Sequence, residues 1–325
     1  MVTTISVAMC THNGARFVAE QVRSILAQTV AVDELVVSDD ASSDETIAVI
    51  EREIAAAATP PRLRVLRNNP ALGVVKNFEQ ALTATSGELV ALSDQDDVWH
   101  RDRIATALAV LKANPEVELV FGDARIVDGD GAPTGATLFG TLGVTDDERG
   151  AVATGRALDA LVRRSLVTGA TVLMRRELVE RAVPFPDDWV HDEWLAVVAA
   201  LTSGIAIAPG ELIDYRIHGG NQIGVSRLTP AVAWRRLTEP RRARNHRMAS
   251  AWADLQARLP ALGDRVSTVD AQLVERKTAH EAARAGLPAG RLRRIGPVLG
   301  RARSGDYARF SRGAQDVLRD LVQPD

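Results

Sequence analysis

Between Ile5 and Asp123 the chain alternates short apolar runs with longer stretches of helical periodicity, and that rhythm leaves few folds open. Ile5–Cys10, Glu34–Ser38, Arg62–Arg67, Leu89–Ser93 and Glu118–Phe121 have the length and composition of strands. Between them, Arg16–Gln28, Asp44–Ala57, Val74–Thr85 and Arg101–Lys112 place apolar residues at helical spacing, as in Val18, Val22, Ile25 and Leu26. Strand, helix, strand in repetition predicts an α/β domain built on a mostly parallel sheet flanked by helices.

Three of these strands end in polar clusters: Thr11-His12-Asn13, Asp39-Asp40 and Asp94-Gln95-Asp96-Asp97. In open α/β sheets ligands bind beyond the carboxyl ends of the strands, so the clusters are expected to converge on one crevice. A single Asp or Ser at such a place also serves as a helix cap, the role that suits Ser43 or Asp44. Three clusters at three strand ends favour the shared site.

Gly122–Gly155 is rich in Gly, Asp and Thr and reads as a long irregular loop bordering that site. A helix (Ala157–Arg164), a strand (Ala170–Met174) and a helix (Asp192–Leu201) follow. Beyond Ser226 the pattern turns helical throughout, over Pro230–Leu259 with a break near Pro240, then Thr268–Ala285 and Gly313–Leu321. The expected division is therefore 1–226 for an α/β ligand-binding domain and 227–325 for a helical extension.

Charge follows the same division. Residues 227–325 hold 20 basic and 10 acidic side chains, net +10, while the first 226 hold 19 and 32, net −13, so the overall −3 conceals two different surfaces. Cys10 is the lone cysteine, which excludes an intramolecular disulfide and a four-cysteine metal centre and suits a reducing cytoplasm. No apolar run approaches the roughly 18 residues of a membrane span, and the opening residues lack the pattern of an export signal.

Asp94 and Asp96, separated by Gln95 and preceded by the apolar Leu89-Val90-Ala91-Leu92, set two carboxylates at a strand end. Such a pair suits a hard divalent cation, because Mg²⁺ or Mn²⁺ prefers oxygen ligands and completes its shell with water and substrate phosphates. A solvated acidic loop is the plainer reading of an Asp-x-Asp alone.

Five ordered motifs make the reading specific. Ser6-Val7-Ala8-Met9-Cys10-Thr11-His12-Asn13-Gly14, Val36-Val37-Ser38-Asp39-Asp40-Ala41-Ser42-Ser43-Asp44, Ser93-Asp94-Gln95-Asp96-Asp97-Val98-Trp99, His191-Asp192-Glu193-Trp194-Leu195-Ala196 and Tyr215-Arg216-Ile217-His218-Gly219-Gly220-Asn221-Gln222 resemble family 2 glycosyltransferases of the GT-A fold. The resemblance covers about the first two thirds of the chain. It implies an inverting, metal-dependent transfer of a sugar from a nucleotide diphosphate donor.

By that resemblance Asp40 accepts the base's imide N–H, which uracil and thymine share, and Thr11, His12 and Asn13 cradle the base. His12 supplies an imidazole where an aromatic ring often stacks. Asp94 meets the ribose or the metal, Gln95 meets the donor, Asp96 meets the metal and diphosphate, and His218 is a further ligand of Mn²⁺ or Mg²⁺. Asp192 is the candidate general base, with neighbouring Glu193 as its rival and a helix-capping role as the bland alternative. The Ser-Asp-Gln-Asp-Asp-Val-Trp and His-Asp-x-Trp-Leu-Ala patterns are similar to those of bacterial rhamnosyltransferases, which implies a dTDP-rhamnose or UDP-hexose donor and a polysaccharide or lipid-linked acceptor. A sugar nucleotidyltransferase and a non-catalytic nucleotide-sugar-binding scaffold are the alternatives.

The arginines of the extension, Arg235-Arg236, Arg241-Arg242-Arg244, Arg291-Arg293-Arg294 and Arg301-Arg303, recur beside Leu, Ile and Val. That pattern suits peripheral contact with anionic lipid at the inner face of the cell membrane, and equally an arginine-rich helical face packed on protein. No nucleic-acid-reading module is present.

Overall fold

A computed structural model describes residues 3–218 and 239–325. Gly219–Gln222 of the fifth motif, the start of the expected Pro230–Leu259 helix, and Arg235-Arg236 lie outside the described residues. The chain divides into two compact units. The first is Met1–Gly155, Val167–Phe185 and Val190–Val225; the second is Arg156–Leu166, Pro186–Trp189 and Ser226–Asp325.

The first unit begins with β1 (Ile5–Thr11), α1 (Val18–Leu26), β2 (Glu34–Asp39), α2 (Thr46–Ala55), β3 (Arg62–Arg67), α3 (Val74–Thr83) and β4 (Leu89–Ser93). Continuing along the chain come β5 (Val98–Trp99), α4 (Arg103–Ala113), β6 (Leu119–Val127), β7 (Pro133–Thr137), α5 (Leu138–Leu142) and α6 (Asp146–Ala153). After α7 (Ala157–Leu161), which belongs to the second unit, follow β8 (Leu173–Arg175), α8 (Arg176–Ala182), α9 (His191–Thr202) and β9 (Ile205–Arg216).

Among the described residues nine strands join in one sheet of order β3-β2-β1-β4-β8-β6-β9-β5, with β7 paired to β6. β1 to β4 run parallel, as does the β6–β9 pair; β8, β5 and β7 are antiparallel to their neighbours. The inner strands of the parallel half are covered by helices, so all residues of β2 and β4 are buried, whereas the edge strand β3 is partly exposed. α1 faces the sheet with Val18, Val22 and Ile25, and α2 with Ile47, Ile50 and Ile54. The register sets Thr11 beside Asp39 and Met9 beside Ser93, so the polar segments after β1, β2 and β4 leave the sheet at one edge.

Gly122–Gly155, expected to be an irregular loop, is ordered: β6 continues to Val127, and β7, α5 and α6 follow. The glycines punctuate short elements rather than preventing them. Gly131, Gly135 and Gly143 adopt positive φ, and Thr145 with Glu148 forms a capping box at the start of α6. β9 was not foreseen, because Pro209-Gly210 breaks its apolar pattern into two fragments.

The second unit holds α10 (Arg241–Leu262), α11 (Thr268–Ala285), α12 (Arg291–Arg303), α13 (Asp306–Phe310) and α14 (Ala314–Val322). Trp252, Leu255, Val274, Val298, Tyr307 and Phe310 are buried in it. Some of the arginines expected on its surface are interior. Arg294 is fully buried and gives its guanidinium to the carbonyls of Pro288, Ala289, Asp320 and Gln323; Arg241 reaches Leu287 and Asp325. Uncapped carbonyls between short helices need donors, and these side chains supply them. Among the described residues no helix is long and apolar enough to cross a membrane.

Candidate functional site

The loop after β1 is bound to the loop after β2 by side chains. Thr11 Oγ1 donates to Asp39 at 2.7 Å, Asn13 N–H to Ser42 at 2.8 Å and Gly14 N–H to Thr46 at 2.7 Å, while Asn13 Oδ1 accepts from Ser43 N–H at 2.8 Å. His12 Nδ1 lies 2.7 Å from the carbonyl of Asp40. A carbonyl only accepts, so Nδ1 carries the proton and Nε2 accepts from Asn13 at 3.2 Å.

Gln95 clasps this loop from the β4 side. Its Oε1 accepts from His12 N–H at 2.9 Å and its Nε2 donates to His12 C=O at 3.0 Å. The clasp requires a glycine at position 14, where a Cβ would stand 2.2 Å from Gln95 Oε1. Asp40 is nearly buried and accepts from the N–H groups of Leu72 at 2.6 Å and Gly73 at 2.9 Å, with Asn68 at 3.3 Å. The carboxylate thereby organises the turn before α3, a role the sequence did not announce. Its roughly four lone-pair sites leave capacity for a further donor.

The carboxylates after β4 are brought together with that of α9. Burial raises the Asp94 carboxyl to about 7, Asp96 and Asp192 push in the same direction, and Arg103 opposes them. Burial raises the Tyr215 hydroxyl too, and Asp97, Asp94, Asp96 and Asp192 all add to the effect. Burial and then Asp94 and Asp40 raise the Cys10 thiol. Strand ends 54 residues apart and a helix start about 100 residues further on therefore share one electrostatic neighbourhood.

Asp96 accepts from His218 Nε2 at 2.8 Å. The imidazole stacks on Phe17, ring centres 4.6 Å apart, and the Arg216 guanidinium lies 5.0 Å from the same ring. Arg216 also donates to the Asp96 carbonyl at 2.9 Å, and its N–H to Asp97 at 3.0 Å. Asp192, in the first turn of α9, accepts from Gly169 N–H at 2.9 Å and Glu193 N–H at 2.8 Å. Both oxygens keep lone pairs for a substrate hydroxyl. His191 is buried and stacked on Phe78 at 3.9 Å, and burial holds its pKa below the usual value.

Thr11, His12, Asn13, Asp40, Asp94, Gln95, Asp96, Asp192 and His218 all belong to the first unit. Among the described residues no three His, Cys, Asp or Glu side chains form a chelating cluster. Asp96 with His218 nonetheless offers one hard oxygen and one imidazole, a donor pair suited to a cation that takes the rest of its shell from phosphates and water. Phe17, Gly169 and Asp97 were not assigned roles from the sequence. Asp97 stood inside the third motif, whereas Phe17 and Gly169 carried no signal.

Residues 6–179, more than half the chain, match the model of glycosyl transferase family 2. The chain belongs to that family. A Mycobacterium tuberculosis protein is 28% identical over 219 residues, 66% of this chain and 59% of the relative. The chain thus spans about 59% of the length of that relative. The dTDP-rhamnosyl transferase RfbG of Shigella flexneri is 32% identical over 110 residues, 33% of this chain and 37% of RfbG. Among solved structures, Staphylococcus aureus TarS 1–349 in complex with UDP-GlcNAc superposes with a TM-score of 0.54 at 18% identity, covering 94% of this chain and 89% of that one. The Pyrobaculum calidifontis mannosyltransferase PcManGT with GDP-Man and Mn²⁺ gives 0.53 at 21% identity, covering 99% and 86%. The fold of this chain is GT-A.

Proposed function

We propose that the chain is an inverting, metal-dependent glycosyltransferase that moves a sugar from a nucleotide diphosphate donor. The observation that carries this reading is the shared neighbourhood of Asp94, Asp96 and Asp192, joined by His218 on Asp96. The base side of the donor lies against Thr11, His12, Asn13 and Asp40, with Gln95 and Asp94 toward the ribose. Asp96 and His218 would hold Mn²⁺ or Mg²⁺, which would supply Lewis-acid stabilisation of the charge on the departing diphosphate. Asp192 takes the proton of the acceptor hydroxyl as it attacks from the face opposite the diphosphate. The N–H groups of Gly169 and Glu193 fix the orientation of that carboxylate before substrate arrives.

The donor is dTDP-rhamnose or a UDP-hexose. The likeness to RfbG supports the first; the second is supported by the Escherichia coli β-1,3-glucosyltransferase WfgD, named for UDP-Glc and a GlcNAc-diphosphoundecaprenol acceptor, 29% identical over 125 residues. The acceptor is a polysaccharide or lipid-linked glycan, met at the cytoplasmic face of the membrane. On α12, Leu292 and Ile295 are exposed at 84% and 43% beside exposed Arg291, Arg293 and Arg303, a face suited to anionic headgroups. Sedimentation with phosphatidylglycerol vesicles, compared with Leu292→Glu/Arg293→Glu, tests this contact; equal sedimentation removes it.

A nucleotide-release screen tests the activity, with UDP-, dTDP- and GDP-sugars and either metal. Donor-selective release that vanishes in Asp96→Ala is expected. Equal release by the variant and the wild type contradicts the reading.

A further inference from the structure

Arg103, the first residue of α4, occupies an expensive position. It is 2% exposed, although a guanidinium is costly to desolvate. It stands at a helix N-terminus, where the helix dipole disfavours a cation. Its Nε and Nη1 are buried without a hydrogen-bond partner among protein groups. What holds it there is one amino group and one ring. Nη2 donates to the carbonyls of Leu92 at 3.1 Å, Ala170 at 2.8 Å and Val172 at 3.2 Å, and the guanidinium carbon lies 3.5 Å from the centre of Trp99. Burial lowers its pKa to about 9, with the Asp97 and Asp94 carboxylates acting against that loss.

The three carbonyls identify the purpose of the arrangement. Leu92 precedes Ser93-Asp94 at the end of β4, so its position fixes where Asp94 and Asp96 emerge. Ala170 follows Gly169, whose N–H holds the Asp192 carboxylate at 2.9 Å. A single nitrogen therefore bridges the segment that carries the donor carboxylates and the turn that orients the candidate base. The backbone bond from Leu92 N–H to Val172 C=O, 3.1 Å, leaves these carbonyls facing the same spot. Without a donor at that spot, three carbonyls converge on a buried void and repel one another.

We propose that Arg103 is a positioning residue that sets the spacing between the donor carboxylates, Asp94 and Asp96, and the base, Asp192. The proposal rests on the glycosyltransferase reading above. In displacement at a sugar carbon the acceptor oxygen must lie in line with the leaving oxygen, and an error of about 1 Å costs on the order of 100-fold in rate. Lysine in place of Arg103 keeps a charge and three N–H donors; methionine keeps bulk alone.

Two readouts test the proposal. In steady-state turnover, Arg103→Met should lower kcat about 100-fold with the donor KM changed by less than about threefold, and Arg103→Lys should recover to within about tenfold of wild type. A kcat within threefold of wild type in Arg103→Met, or a Lys variant as slow as the Met variant, overturns it. In amide hydrogen exchange, peptides spanning 167–173 and 89–97 should lose protection in Arg103→Met while peptides of β2 and β3 do not. Unchanged or uniformly raised exchange overturns it. If Arg103→Met does not fold, the same comparisons apply to Arg103→Gln, which retains a neutral donor and should show the same selective loss. If the wild-type chain releases no nucleotide from any donor, the activity reading fails and the exchange pattern alone decides on Arg103.

Discussion

Substituting Gly14 by alanine perturbs the candidate site through Gln95 and the loop that Gln95 clasps, from a position that itself has no assigned contact with substrate. The new methyl would stand 2.2 Å from Gln95 Oε1 and 2.5 Å from Gln95 Cδ. Both atoms belong to the free end of a flexible side chain, and Gly14 has no positive φ to protect, so the side chain swings aside and the backbone stays. What is lost is the pair of bonds between Gln95 and His12, at 2.9 and 3.0 Å. At about 1 kcal/mol for each neutral bond the variant should be about 2 kcal/mol less stable. Gln95→Ala removes the same two bonds and should cost a similar ~2 kcal/mol. Because the two changes destroy one interaction, the double variant should also cost about 2 kcal/mol rather than about 4, a coupling of about −2 kcal/mol. Urea unfolding of the four proteins in the cycle measures this directly, and all three variants should share weakened donor affinity, since His12 is no longer held. A double variant that loses the full sum would show that Gly14 acts elsewhere and that the clasp is not what links the two loops.

Other consequences follow from particular contacts. Asp192→Asn should lower kcat by roughly 10²- to 10⁴-fold with donor KM little changed, because proton abstraction is lost and donor binding is not; an equal rise in KM would place Asp192 in the donor site instead. Phe17→Ala should weaken Mn²⁺ affinity by about two- to tenfold in titration, since the stacked ring that restrains His218 is worth about 0.5–1.5 kcal/mol, and unchanged affinity would show the stacking to be idle. In the second unit, burial lowers His280 to about 4 against an ordinary 6.5. Between these values the unfolded chain binds a proton that the folded unit does not, so stability should fall as the pH drops from about 6.5 to 4, by at most about 3 kcal/mol. His280→Phe should flatten that slope in denaturant midpoints measured across the range; a slope that persists would assign it to other groups.

The inner strands of the parallel half were legible because they are buried on both faces and therefore carry unbroken apolar runs, as in Leu35-Val36-Val37 and Leu89-Val90-Ala91-Leu92, while the exposed edge strand β3 showed itself by the alternation in Arg62-Leu63-Arg64-Val65. The acidic residues at their ends were legible for the same reason, since polarity next to a buried run marks a strand terminus. β9 escaped because Pro209-Gly210 interrupts it, and β7, α5 and α6 escaped because each is too short to establish a period. Arg103 could not be found in sequence, where a charged residue opening an amphipathic helix reads as solvated. The same logic misplaced Arg241 and Arg294, whose burial depends on carbonyls contributed by distant segments. Roles fixed by side-chain type at a strand end are local and readable; roles fixed by convergence of backbone groups appear only in three dimensions.

Calorimetric titration of UDP and dTDP into the protein, with Mn²⁺ and then with EDTA, tests the central claim most directly. At least one nucleotide should bind with Mn²⁺ present, lose at least tenfold in affinity in EDTA, and show no metal dependence in Asp96→Ala. Binding of equal strength with and without the ion, or an Asp96→Ala variant that retains the metal effect, would contradict a site in which Asp96 would hold a cation that diphosphate binding depends on.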